Sequence, residues 1–124
     1  MSLYILFYNL TNINRINLKR LQDIAEGDKD FERELIELYK EACTEKLPFL
    51  EEALEAGHPE NSILYSHDIK GSSSNIGAEG VRRISERMEI LTRAHRFKEA
   101  FDMIPELKLE LNATYIAFDQ YLLE

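Results

Sequence analysis

The sequence predicts an all-α protein, an antiparallel up-down-up-down four-helix bundle with a short N-terminal capping helix. Apolar residues recur three and four positions apart over four long segments, the spacing of one buried helix face. Glycine and proline separate these segments, and no alternation of apolar and polar residues typical of a strand is present. Long amphipathic helices joined by short turns pack as antiparallel neighbours.

Length and composition narrow the function. A chain of 124 residues with 44% hydrophobic residues is expected to fold as one domain. A net charge of −8 argues against nucleic acid and anionic membrane surfaces as partners, because both are bound through Lys and Arg. Cys43 is the single cysteine, so no disulfide can form within the chain, in keeping with a cytoplasmic location. We expect Cys43 to be a small core or boundary residue.

Residues 1–16 are expected to be an apolar N-terminal segment or a linker remnant, and residues 17–124 the bundle. The stretch from Leu3 to Leu10 is apolar but shorter than the roughly 20 residues that span a bilayer. It also lacks the basic region and cleavage site of a signal peptide. We therefore expect no membrane insertion, and packing of this stretch on the bundle or on a second copy of the chain.

Two helices are predicted in the first half of the bundle. Asn17 is a candidate N-cap for a short helix that ends at Ala25. Asp28 or Asp30 starts a long helix that Pro48 is expected to kink. The apolar positions of the long helix are expected to face the bundle: Phe31, Leu35, Leu38, Tyr39, Ala42, Leu47, Leu50, Ala53 and Leu54.

Three further segments complete the predicted bundle. A helix over about 60–76 ends sharply at Gly77, and another follows over about 78–94. The last helix is expected to kink or break at Pro105. The residues predicted to point inward in the last two helices are Val81, Ile84, Ser85, Met88 and Leu91, then Phe97, Phe101, Ile104, Leu107, Leu111, Tyr115, Phe118 and Leu122.

The helix over 60–76 has two contrasting faces. Ser66, Ile69 and Ser73 share a small and apolar face that suits burial. The other face carries an imidazole, an ammonium one turn later and a glycine beside them. Glycine within a helix costs about 0.5–1 kcal/mol relative to alanine, so we interpret it as clearing the approach to the ring. This face comprises Ile63, Leu64, His67, Lys70, Gly71 and Ser74.

The run His67-Asp68-Ile69-Lys70-Gly71-Ser72-Ser73-Ser74-Asn75-Ile76-Gly77 resembles the signature of histidine phosphotransfer (HPt) domains of multistep phosphorelays, His-x-(Leu/Ile)-Lys-Gly-Ser-(Ser/Ala)-x-x-x-Gly. The resemblance extends from about Leu18 to the C-terminus. It implies the same four-helix bundle, and a phosphocarrier that is not an enzyme in its own right, either alone or as a module of a hybrid histidine kinase.

The resemblance also implies a chemistry and its partners. His67 would accept a phosphoryl group from the aspartate of one response-regulator receiver domain and pass it to another. Receiver domains and a hybrid sensor histidine kinase are the implied partners. No cofactor and no metal are expected on this chain, because any Mg²⁺ would lie in the receiver's acidic pocket. Phosphoryl transfer depends mainly on positioning and charge stabilisation, which a small bundle can supply.

The resemblance gives roles to two further residues. Lys70 would place its charge near the phosphoryl oxygens. Glu89 lies twenty-two positions after His67, where the family often has a Gln or Glu that approaches the ring. A carboxylate there would accept a hydrogen bond from one ring N–H and leave the other nitrogen as the nucleophile. Alternatively, Glu89 only pairs with Arg93 four residues later. Both interpretations remain open.

The remaining residues of the face are candidates for partner binding. Gly71 would clear the docking surface, and Ser74 would hydrogen-bond the phosphoryl group or simply be exposed. Ile63 and Leu64, together with the short first helix, would form an apolar docking patch.

Two other functions remain open. One is the N-terminal phosphotransfer domain of a chemotaxis-type histidine kinase, which Glu89 slightly favours. The other is a helical binding module in which His67 is structural, with a buried ring and no acid-labile phosphate. His58 and His95 are expected to be solvated. Glu55 and His58 form one Glu-x-x-His motif, but a di-iron bundle needs two, so we expect neither histidine to be a metal ligand.

Overall fold

The computed structural model describes residues 15–124, and over this range the chain forms six helices and no strand. They are α1 (Leu18–Ala25), α2 (Lys29–Ala56), α3 (Pro59–Ile76), α4 (Glu79–Arg93), α5 (Phe97–Phe101) and α6 (Ile104–Leu122). The four long helices form the antiparallel bundle, in which α3 packs between α2 and α4, and α6 closes the ring. The short α1 packs on α2 and α3 at one end. The predicted fold class is confirmed.

The ends of the helices lie close to where the sequence predicts them. Asn17, Asp28 and His58 cap α1, α2 and α3, because their side chains accept hydrogen bonds from backbone N–H groups of the first turn. His58, expected only to be solvated, therefore also has a capping role. Gly57 and Gly77 end α2 and α3 with φ of 65° and 85°, a conformation that glycine adopts without strain.

The two prolines near helix interiors have different effects. Pro105 lies in the first turn of α6, where its missing N–H costs no helical hydrogen bond. The predicted break is present and precedes the proline, at residues 102–103 between α5 and α6. α2 continues as one helix through Pro48, and the kink expected there stays a prediction.

The face that α2 buries is rotated relative to the prediction. Phe31 and Leu38 are 43% and 56% exposed, so the expectation that they point inward is wrong. Ile36 and Glu32 are buried in their place, and the Glu32 carboxylate accepts a 2.9 Å hydrogen bond from the Tyr121 hydroxyl. Apolar residues cover a wider arc of α2 than the neighbouring helices can bury, so Phe31 and Leu38 remain on the surface.

The core fills the space between the four long helices. Cys43 is buried in it, as expected, and the inward residues predicted for α4 and α6 are buried or half-buried. Its largest fully buried side chains include Leu21, Ile36, Leu50, Ile69, Met88, Leu107 and Phe118.

The chain enters the bundle along its α4 side. Ile16 is 9% exposed and packs with the core, and the Asn17 N–H donates to the carbonyl of Gly77 at 2.7 Å. The predictions on residues 1–14 lie outside the described residues, and the predicted boundary at residue 17 stays a prediction. None of the helices described above is both long and apolar enough to cross a membrane.

Candidate functional site

Packing of α3 turns His67 outward. Ser66, Ile69 and Ser73 are fully buried, as predicted. The Ser66 hydroxyl donates to the carbonyl of Ser62 at 2.7 Å, and the Ser73 hydroxyl is 2.7 Å from that of Tyr39 on α2. The opposite side of the helix therefore faces solvent, and the His67 side chain is 56% exposed. This contradicts the buried ring expected of a purely structural histidine.

Glu89 on α4 joins three side chains into one cluster. Its carboxylate oxygens lie 3.3 and 3.4 Å from Nδ1 of His67. Oε1 is 2.7 Å from Nζ of Lys70, and Oε2 accepts from Nε and Nη2 of Arg93 at 3.0 and 2.8 Å. One carboxylate therefore contacts both the ring and Arg93, the partners that the two sequence interpretations name separately, and its role toward the ring stays a prediction. We call these four residues the His67 cluster.

Electrostatics keep Glu89 ionised. Its side chain is 7% exposed, and burial alone would raise the pKa of its carboxyl. Hydrogen bonds from Lys70 and Arg93 outweigh that effect and hold the pKa at about 2. An ionised carboxylate can only accept hydrogen bonds, so the contact with His67 favours the tautomer that carries its proton on Nδ1. Nε2 of that tautomer has a free lone pair.

The sequence and the structure describe the two cations of the His67 cluster differently. The family resemblance assigns Lys70 to the phosphoryl oxygens, and in the structure its ammonium contacts Glu89 and its side chain is 29% exposed. The sequence suggests Arg93 only as a surface partner of Glu89, whereas the structure brings it into the same cluster as His67. The signal that could have found it is its spacing of four residues from Glu89, which puts both side chains on one face of α4.

The predicted docking residues lie on the same face of α3 as His67 and are not part of the cluster. A Cβ added to Gly71 would meet no atom within 4 Å, so the fold itself leaves room for a side chain there. Ser74 is exposed, Ile63 is half-buried and Leu64 is 49% exposed.

An apolar groove of about 440 Å³ lies beside this face, between α1, α2 and α3. Gly71 and Asn75 follow His67 at steps of four residues, so the groove begins next to the stripe that carries the imidazole. Two of its walls are the exposed side chains of Ile24 on α1 and Leu38 on α2. Of the predicted apolar patch, only the first helix contributes to this groove, since Ile63 and Leu64 do not line it, and the docking role of the patch stays a prediction. The groove is lined by Ile24, Leu35, Leu38, Tyr39, Ala42, Ser72, Asn75 and Ile76.

Metal ligands are not gathered at this site. Within residues 15–124, no three His, Cys, Asp or Glu side chains form a group that could hold a metal ion. His58 and His95 are both exposed, and His95 lies in the turn after α4 with φ of 57°.

Comparisons with known proteins agree with this geometry. The model of the Hpt domain family matches residues 34–115, which include the whole His67 cluster. The phosphorelay intermediate protein rdeA of Dictyostelium discoideum is 40% identical over 95 residues, which are 77% of this chain. The chain spans 37% of the length of that relative.

A solved structure has the same architecture. The crystal structure of histidine-containing phosphotransfer protein B (HptB) from Pseudomonas aeruginosa PAO1 superposes with a TM-score of 0.79 at 25% sequence identity. The superposition covers 87% of this chain and 94% of that one.

Proposed function

This chain belongs to the Hpt domain family, whose function is phosphotransfer in phosphorelay signalling, and we propose that His67 carries the phosphoryl group. The observation that carries the proposal is an exposed imidazole whose Nδ1 faces an ionised, buried carboxylate. Exposure gives a partner access to the ring, and the carboxylate orients it. The phosphoryl donor and acceptor would be receiver-domain aspartates, and a hybrid sensor histidine kinase would supply one of these receivers.

The proton on Nδ1 of His67 determines that Nε2 is the nitrogen that attacks the phosphoryl group. The lone pair on Nε2 of His67 attacks the phosphorus of an aspartyl phosphate, and the P–O bond to the aspartate breaks. The carboxylate leaves with the bonding electrons, and the ring becomes a cationic N-phosphoimidazole that keeps its proton on Nδ1. Glu89 balances that positive charge by accepting the hydrogen bond from Nδ1. Transfer to the next receiver is the reverse of this step.

Lys70 and Arg93 would respond to the incoming group. Before transfer both are held by the single carboxylate of Glu89. A phosphoryl group at Nε2 adds negative charge close to these cations, and both have long flexible side chains that can turn toward its oxygens. The free-energy barrier to the transfer is then lower, because the positive charges that compensate the phosphoryl group are already at the site.

The apolar groove and Gly71 would form the docking surface for the receiver. The groove presents exposed apolar side chains one to two turns further along α3 than His67, and a receiver that covers both would exclude water from the reacting atoms. Gly71 would keep the approach to the ring open. The scheme requires no cofactor on this chain, because Mg²⁺ would be bound by the receiver, and we place the exchange in the cytoplasm.

The experiment is phosphoryl transfer from a radiolabelled receiver. We expect label on the wild type that is lost in acid and retained in base, and no label on His67→Gln. His95→Asn is the matched control, because asparagine tolerates the left-handed backbone of that turn and the His95 ring packs against Phe97, outside the His67 cluster. Label retained by His67→Gln, or lost from His95→Asn alone, would refute the assignment.

A further inference from the structure

We propose that Tyr121, near the end of α6, is a positioning residue that fixes α1 as one wall of the apolar groove. Ile24 on α1 lines this groove, and the other walls belong to α2 and α3. Tyr121 contacts α1 through Gln22, two residues before Ile24. The docking role of the groove rests on the proposed function, whereas the contacts that hold α1 are independent of it.

Contacts with other elements have to hold α1 in place. The helix has eight residues, fewer than the roughly 12 that an isolated helix needs to be stable in water. Leu21 and Ala25 are its buried residues, and because apolar contacts are not directional, they tolerate a rotation of the helix about its axis. The N-terminal end is fixed where the Asn17 N–H donates to the Gly77 carbonyl. The C-terminal end, which carries Ile24, needs a separate anchor.

One hydroxyl supplies that anchor by joining three helices. Oη of Tyr121 on α6 donates to Oε2 of Glu32 on α2 at 2.9 Å. The same oxygen accepts a hydrogen bond from Nε2 of Gln22 on α1 at 3.3 Å. A phenolic hydroxyl has one proton to donate and lone pairs that accept, so both bonds form together. Tyr121 is 5% exposed and Glu32 is 1% exposed, so water does not compete for the bond between them.

The buried carboxylate of Glu32 gives the anchor its direction. Burial of a carboxylate is costly unless hydrogen-bond donors and positive charge surround it. Besides the Tyr121 hydroxyl, Nζ of Lys29 lies 3.6 Å from Oε2 of Glu32 and 3.8 Å from the centre of the Tyr121 ring. Glu32 also lies in the first turn of α2, where the helix dipole favours a negative charge. Glu32 therefore orients the Tyr121 hydroxyl, and the hydroxyl favours the one orientation of α1 that brings Gln22 to it.

Rotation of α1 links this anchor to the groove. At about 100° per residue, the buried Leu21 and Ala25 lie between Gln22 on one side of the helix and Ile24 on the other. A rotation that breaks the contact of Gln22 with Tyr121 therefore also moves Ile24 relative to the opposite walls. The two residues control the width of the groove without lining it.

Amide order parameters from NMR relaxation test the anchor in the folded protein. Tyr121→Phe removes the hydroxyl and keeps the ring, and Gln22→Met removes the donor from an exposed side chain of similar length. In both variants we expect the order parameters of residues 22–25 to fall from about 0.85, typical of a rigid backbone, to about 0.6. Tyr115→Phe is the matched control and should leave α1 unchanged, because it makes the same substitution on α6 where the ring packs against Tyr39 of α2.

Transfer kinetics then test whether the position of α1 matters for docking. With the radiolabelled receiver as the phosphoryl donor, Tyr121→Phe and Gln22→Met should raise KM about fivefold and leave kcat unchanged, because neither substitution alters His67 or Glu89. A residue with a purely structural role would instead lower the folded fraction, which reduces the apparent kcat and leaves KM unchanged.

Two outcomes would overturn the proposal. Order parameters that stay at about 0.85 in both variants would mean that other contacts hold α1. A more mobile α1 with an unchanged KM would mean that the wall formed by Ile24 takes no part in docking, while label on His67 would leave the phosphocarrier assignment intact. Absence of label on the wild type would refute that assignment itself, and the order parameters would still test the anchor.

Discussion

Replacing Glu89 by glutamine tests the electrostatic account of the site. The change removes the negative charge from a buried position and keeps the shape of the side chain. Lowering the pKa of the Glu89 carboxyl from 4.5 to about 2 corresponds to about 3 kcal/mol in favour of its ionised form in the folded protein. Because the folded pKa is the lower one, this contribution is complete well above pH 4.5 and is lost as the pH falls toward 2.

The wild type and Glu89→Gln should therefore differ most near neutral pH. We expect Glu89→Gln to lower the free energy of unfolding by up to about 3 kcal/mol at pH 7, and by about 1.4 kcal/mol at pH 3, where the wild-type carboxylate has lost part of its advantage. Urea unfolding followed by far-UV circular dichroism at both pH values measures the two differences.

A matched substitution on the same helix provides the control. Glu86 pairs with Arg82 on the surface and its side chain is 50% exposed, so Glu86→Gln should change the free energy of unfolding by less than about 0.5 kcal/mol at either pH. A Glu89→Gln difference that is equally large at pH 7 and pH 3, or no larger than that of Glu86→Gln, would refute the reasoning.

Two glycines should respond in opposite ways. Gly71→Ala should raise the free energy of unfolding by up to about 1 kcal/mol in thermal or urea unfolding, because a Cβ there meets no atom within 4 Å and alanine favours the helix. Gly71→Gln should leave stability near wild type yet slow transfer from a phosphorylated receiver, and an unchanged rate would remove Gly71 from the docking surface. Gly80→Ala should lower the free energy of unfolding by no more than about 1 kcal/mol, because its Cβ displaces only the flexible end of Glu110 and its ion pair with Arg15; a larger loss would contradict this reasoning.

Local signals explain why much of the fold could be predicted. Asn17 and Asp28 satisfy N–H groups of their own first turns, and Gly77 takes up a left-handed conformation at the end of α3, so neither feature needs a distant partner. The helical period likewise separates the buried Ser66, Ile69 and Ser73 from the exposed His67. The resemblance to the family signature then pointed to His67, the proposed phosphoryl acceptor, on the exposed face.

Long-range packing decided what the sequence left open. On α2, Phe31 and Leu38 have the same apolar character as Ile36, and only the positions of the neighbouring helices determine which are buried and which line the groove. The burial of Glu32 depends on Tyr121, eighty-nine residues away.

The sequence by itself determined the helices, their order and the histidine that faces outward, because each depends on interactions within a few turns of one helix. The tertiary structure decided that Glu89 holds His67, Lys70 and Arg93 at once. It could do so because α3 and α4 pack side by side, and a carboxylate buried between them has to find its hydrogen-bond donors on both helices.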